Sequence, residues 1–199
     1  AKPGATVLLL DPAAAAAKEV ALRDDLSYVI CHPCHPPLFG EQETPEARKD
    51  IFGGDPAWQD IVIALLQGSE EAFAQADEIC KTMVGPVRAS YRVTVDQMAM
   101  LEPALVEVIQ ASAAVMMREA LEEVVRRGVP REAATSFMLG HVNIGLAIAF
   151  GAIPHDFSAA AKVAVRWGTP RIFQPDWRKV FDREQIEEVI HEMLHPNGR

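Results

Sequence analysis

The chain has only 3 cysteines in 199 residues. An odd, small number builds no disulfide framework and points to a reduced, cytoplasmic setting. Basic residues are also scarce. Lysine and arginine number 19 against 28 acids, a formal net charge of −9. That excludes the broad basic surface of a non-specific nucleic-acid binder, though not a local basic pocket for an acidic small molecule. No uninterrupted apolar run reaches the ~20 residues that span a membrane, so no membrane segment is expected. The opening AKPGATVLLLDP has a short apolar core and an acidic exit, a poor match to a signal peptide. There is no GxGxxG. The pair Gly53-Gly54 opens no helix, so the chain lacks the turn that seats a dinucleotide's phosphates.

Other segments are rich in signal. Residues 5–10, 26–31 and 60–66 are continuous apolar runs of strand length, which suits strands buried on both faces, as in a parallel sheet. Residues 87–95 alternate and form a fourth candidate strand. Residues 13–22 and 70–83 read as helices, the second capped by Ser69. Beyond residue 93 the pattern turns helical throughout. A long helix is expected to Arg127, kinked or split at Pro103. The next, from Pro130, is apolar nearly all round and is expected to be buried. Helices at 158–168 and 182–194 follow, joined by a loop anchored through Phe173, Trp177 and Phe181. The expected class is α+β, mostly α: a partial α/β domain over 1–93 and an all-helical domain over 94–199.

Two stretches carry metal-like spacing. HEMLH (191–195) matches HExxH, which places two histidines on one helix face with a glutamate able to activate a bound water. Only four residues follow, too few for the usual downstream third ligand, and a plain amphipathic helix is the simpler reading. CHPCHPP (31–37) has two cysteines and two histidines, but its prolines splay the side chains and no second ligand pair accompanies it. No metal site is expected at either. The stretch instead reads as a rigid lip at the carboxyl end of a buried strand, where open α/β sheets bind ligands.

The sequence around that lip resembles a known group. A strand followed by His-Pro and a loop running to Phe-Gly looks like the His-Pro segment of prephenate dehydrogenases. The wider match is to the 6-phosphogluconate dehydrogenase-like superfamily, within the group that includes D-apionate oxidoisomerases. It is carried by CHPCHPPLF (31–39), ARKDIFGG (47–54), DIVIALLQG (60–68), RVTVDQMAMLEPAL (92–105), RRGVPREAA (126–134), LGHVNIGLAIAFG (139–151) and IFQPDWRKVF (172–181). The resemblance implies the later part of a Rossmann domain, then a helical domain that supports dimerisation through the helix at 94–127. It implies an NAD- or NADP-dependent oxidation of a small hydroxy acid or sugar acid, with isomerisation or decarboxylation coupled to it. It also implies that the chain begins partway through the nucleotide domain, and that alone it binds NAD weakly.

Residue roles follow. His32 matches the histidine set against the substrate hydroxyl, and its imidazole suits proton exchange near neutrality. His35 is placed to bind a substrate oxygen or is an ordinary loop histidine. Asp11 and Pro12 end a strand at the same sheet edge and are candidates to face the cofactor. The resemblance expects a lysine and an asparagine early in the long helix; this chain has Gln97 and Glu102 instead. Glu102, among Met, Ala and Leu, is a candidate catalytic carboxylate. His141 and Asn143 stand in an apolar helix as further candidates or as satisfied core residues, and Lys162 with Arg166 either hold a carboxylate or form a solvated helix face, the simpler reading. Two other readings stay open: a non-catalytic helical dimerisation or regulatory module of the same fold, and a zinc hydrolase built on HEMLH.

Overall fold

The three apolar runs and the alternating stretch form four strands: β1 (Thr6–Leu9), β2 (Ser27–Pro33), β3 (Gln59–Gln67) and β4 (Val87–Arg92), side by side in that order. They belong to a computed structural model that describes residues 1–196. Continuous apolarity has its expected consequence, because both sheet faces are covered. Val29, Cys31, Ile61 and Ile63 pack on Ala76 and Cys80 of helix α2 (Glu70–Met83). Ile30 and Ala64 pack on Ala15 of α1 (Ala13–Ala16) and Met98 of α3 (Val95–Ala99).

The sheet is mixed, not parallel. β1 and β2 run parallel, as do β3 and β4, but β2 and β3 are antiparallel. A parallel return needs a helical crossover, and the β2–β3 connection has only a single helical turn at Ala47–Lys49. β2 also runs farther into the prolyl stretch than its composition suggests. His32 lies opposite Val62 and Pro33 opposite Ile61. Pro33 is the strand's last residue, where a missing N–H leaves the inner ladder intact. By contrast α1 is shorter than expected, and Lys18 follows it with φ 61°.

Thr94 starts the long helix with a capping box: its hydroxyl accepts from the Gln97 N–H while the Gln97 side chain accepts from the Thr94 N–H. Pro103 neither splits nor ends it. The turns widen to π-type over Met100–Ala111, and α4 (Ser112–Arg126) continues. Wider turns make room for the ring and absorb the hydrogen bond it cannot donate. Val95–Arg126 is therefore one helix of 32 residues, by length and composition apolar enough to cross a membrane. Reading shorter apolar runs one by one does not reveal it. Core and interface helices outside membranes meet the same two criteria.

The described residues fall into two units, Ala1–Val106 with the chain from Phe181 onward, and Glu107–Val180. In the first, α7 (Arg183–Leu194) packs on the sheet-side helices: Ile186 and Ile190 bury against Ala13, Ala99 and Ala104. The second contains α4, α5 (Arg131–Ala149) and α6 (Ala159–Ile172). α5 is not the buried helix its composition suggests. Only Ala134 and Ala147 are buried, while Phe137, Leu139, Ile144 and Phe150 are exposed. α6 runs past Gly168 through Pro170, where a loop was expected, and the Phe173 N–H closes its last turn on the Thr169 carbonyl.

Candidate active site

β1 and β2 are parallel, so their carboxyl ends share one edge of the sheet. Leu10 follows β1, and its carbonyl oxygen lies 2.8 Å from Nδ1 of His32. A carbonyl only accepts, so Nδ1 carries the hydrogen. The other ring nitrogen, Nε2, lies 3.1 Å from Oε1 of Glu102, and the two side chains are 26% and 16% exposed. Glu102 is delivered by the π-type segment, one residue before Pro103. The two atoms lie within hydrogen-bond distance, so the contact sets an imidazole nitrogen and a carboxylate oxygen side by side at the sheet edge.

The other candidates in this unit have local duties. Asp11 accepts the Ala13 N–H at 2.7 Å, and Pro12 is buried. Together they shape the β1–α1 turn. Gln97 is spent on the capping box. His35 has φ 61°, its Nδ1 donates to the Phe52 carbonyl at 2.8 Å, and its ring stands edge-on to Phe52. All three cysteines are free thiols: Cys34 is exposed, while Cys31 and Cys80 are buried. A hydrogen bond with Cys80, and then burial, push the Cys31 thiol far above its ordinary range. That is packing, not a reactive pair.

His141, Asn143 and Lys162 lie in the second unit. His141 stacks on Phe137 at 4.0 Å between ring centres and donates Nδ1–H to the Phe137 carbonyl at 2.8 Å. It lines an apolar hollow of about 550 Å³ with Leu121, Val124 and Met138. Asn143 is exposed on the same helix. Lys162 pairs with Asp156, so its charge is already engaged. Sequence reasoning missed Leu10, because a backbone carbonyl leaves no mark in the side-chain pattern.

A dinucleotide's pyrophosphate needs free N–H groups at a helix N-terminus behind a glycine-rich turn. The turn Asp11-Pro12-Ala13 is not of that kind: Pro12 has no N–H, Asp11 takes that of Ala13, and α1 is a single turn.

The family model for phosphogluconate dehydrogenase (decarboxylating) C-term matches residues 40–194. D-apionate oxidoisomerase of Cupriavidus necator is 51% identical over 189 residues, which is 95% of this chain and 68% of that protein. D-apionate oxidoisomerase of Blautia hydrogenotrophica is 45% identical over 198 residues, 98% of this chain and 69% of that protein. Among solved structures, a semialdehyde dehydrogenase NAD-binding protein from Cupriavidus necator, in complex with calcium and NAD, matches at 51% identity. Its TM-score is 0.92, over 96% of this chain and 69% of that one.

Proposed function

This chain belongs to the phosphogluconate dehydrogenase (decarboxylating) C-terminal family, and from that premise we propose that it supplies the acid–base machinery of an NAD-dependent oxidoreductase acting on a sugar acid. The observation that carries this reading is the His32–Glu102 pair at the carboxyl edge of the sheet. Oxidation of a secondary alcohol breaks a C–H and an O–H bond. A bound nicotinamide would supply the redox chemistry by accepting the hydride. With Nδ1 carrying its hydrogen, the lone pair on Nε2 of His32 takes the hydroxyl proton as the carbonyl forms, and the Glu102 carboxylate offsets the charge the ring gains. The new carbonyl acidifies the neighbouring C–H, so His32, once it has passed its proton to solvent, can move that proton in a coupled isomerisation. D-apionate is the proposed substrate, after the relatives at 51% and 45% identity.

The exposed apolar side chains of α5 and the apolar hollows of the second unit fit a homodimer in which a second copy covers them. The exposed apolar faces of the second unit favour one other reading, a helical dimerisation module without catalysis. Two measurements separate them: calorimetric binding of D-apionate, which needs no nucleotide, and NADH formation at 340 nm. Binding or turnover that falls in Glu102→Gln supports the enzyme. A sugar-acid panel with no binding and no turnover leaves the module.

A further inference from the structure

HEMLH lacks a downstream third ligand, but the fold brings one from far upstream. Glu19 follows α1, and its position is set by two local hydrogen bonds: the Glu19 N–H to the Ala14 carbonyl and the Lys18 N–H to the Ala15 carbonyl. Because α1 packs on α7, Glu19 arrives beside the last turn of that helix. Its Oε1 lies 3.1 Å from Nε2 of His195. The rings of His191 and His195, one turn apart, have their centres 4.7 Å apart. One ligand atom from each of Glu19, His191 and His195 lies within 4.8 Å of the others.

We propose that Glu19, His191 and His195 form a binding site for a divalent cation of the zinc class. Two imidazoles and one carboxylate suit a borderline metal, whereas calcium and magnesium demand mostly oxygen ligands. Zinc holds nitrogen and oxygen at about 2.0–2.2 Å, which puts tetrahedral ligands roughly 3.3–3.5 Å apart. The three atoms need to draw in by about 1.5 Å at most from their present spacing. All three side chains are surface groups that can do so by rotation. The ion takes the place of the direct contact between His195 and Glu19. The helix adds to the attraction, because His195 caps its C-terminal end, the negative pole of the helix dipole. Three protein ligands leave one position for water.

The site is separate from the His32–Glu102 pair but tied to its frame. α1 follows Leu10 and Asp11, and α7 buries Ile190 against Ala99 and Ala104 on either side of Glu102 in sequence. A bound ion fastens the end of α1 to the end of α7 and so stiffens the elements that place Leu10 and Glu102. Glu19 carried no sequence signal, since nothing in its surroundings resembles a ligand motif.

The test uses untagged protein stripped with a chelator, then titrated with Zn²⁺ against a chromophoric competitor, with the melting temperature read in parallel. The expected result is one equivalent bound and a melting temperature that rises with Zn²⁺. His191→Ala/His195→Ala should weaken binding more than about tenfold and abolish the rise, and Glu19→Gln should weaken it less. Circular dichroism checks that these exposed substitutions leave the fold in place. Calcium should give no shift. Binding below stoichiometry, or affinity unchanged in the double variant, overturns the site. A calcium response equal to that of zinc overturns the ligand class.

Discussion

Nε2 of His32 and Oε1 of Glu102 meet at 3.1 Å across the carboxyl edge of the sheet, while Nδ1 of the same ring is held by the Leu10 carbonyl. One strand end, one strand-to-helix turn and one helix fix the imidazole from two sides. If that pair exchanges the substrate proton, His32→Ala should lower kcat by about 10²-fold or more with little change in thermal stability. Glu102→Gln should do much the same. The double variant should cost scarcely more than the worse single one, because residues acting as a unit are not additive. Steady-state rates on all three variants check this. Additive losses would show that the two act separately.

The hydrogen-bond pattern makes a second prediction that needs no substrate. Nitrogen-detected NMR of labelled histidine should show Nδ1 of His32 carrying the hydrogen that it donates to the Leu10 carbonyl. In Glu102→Gln the amide can donate to Nε2, so that nitrogen should take the signature of a plain acceptor. A wild-type spectrum with Nδ1 unprotonated would break the assignment.

Much of this was legible in the residues, for reasons that can be named. Val29, Cys31, Ile61 and Ile63 are buried on one face and Ile30 and Ala64 on the other. Such double burial demands the unbroken apolar runs by which the strands are recognised. The direction of β3 was not legible, because strand composition is blind to polarity. It depended on a connection with almost no helix. Helix α5 misled because apolarity signals burial without saying by what: Phe137 and Leu139 are exposed at 70% and 63% in the isolated chain. Within the site, His32 stood out beside Pro33, whereas Gln97 looked chemical and proved to be a cap. Capping and catalysis draw on the same polar side chains, and only geometry separates them.

Those exposed side chains predict association. At micromolar concentration, size-exclusion chromatography with light scattering should give twice the 21.8 kDa chain mass. Phe137→Glu places a charge in the apolar face and should shift the protein toward monomer. A monomer in the unmodified protein would remove the dimer from the proposal.

Cys34 makes a pH prediction. It is the exposed thiol, and desolvation, followed by the nearby Asp60 carboxylate, raises its pKa above the usual value of 9.0. The thiolate is the reactive form, so a raised pKa means less of it at any given pH. In native protein a thiol reagent should modify one equivalent slowly, with a rate still climbing above pH 9. The other two cysteines should react only on unfolding. Prompt reaction of Cys31 or Cys80 would contradict their burial.

Gly68 ends β3 with φ 129°, a backbone conformation that side chains rarely adopt, and an added Cβ would lie 2.4 Å from Ser27 Oγ and 2.6 Å from Ser27 Cβ. Gly54 has a similar φ of 114° but nothing within 4 Å of its added Cβ. The two positions separate strain from collision. Gly54→Ala should cost about 1 kcal/mol from backbone strain alone. Gly68→Ala adds overlap with β2 beside the paired Tyr28 and Gln67, and should cost a further ~1–3 kcal/mol. Urea midpoints give both values. Adding Ser27→Gly to Gly68→Ala should remove the overlap with the Ser27 side chain, though not the 3.2 Å approach to its Cα, and return part of the second loss but none of the first. If the two alanine variants prove equally stable, Ser27 is free to yield, and the β2–β3 register is looser than its ladder implies.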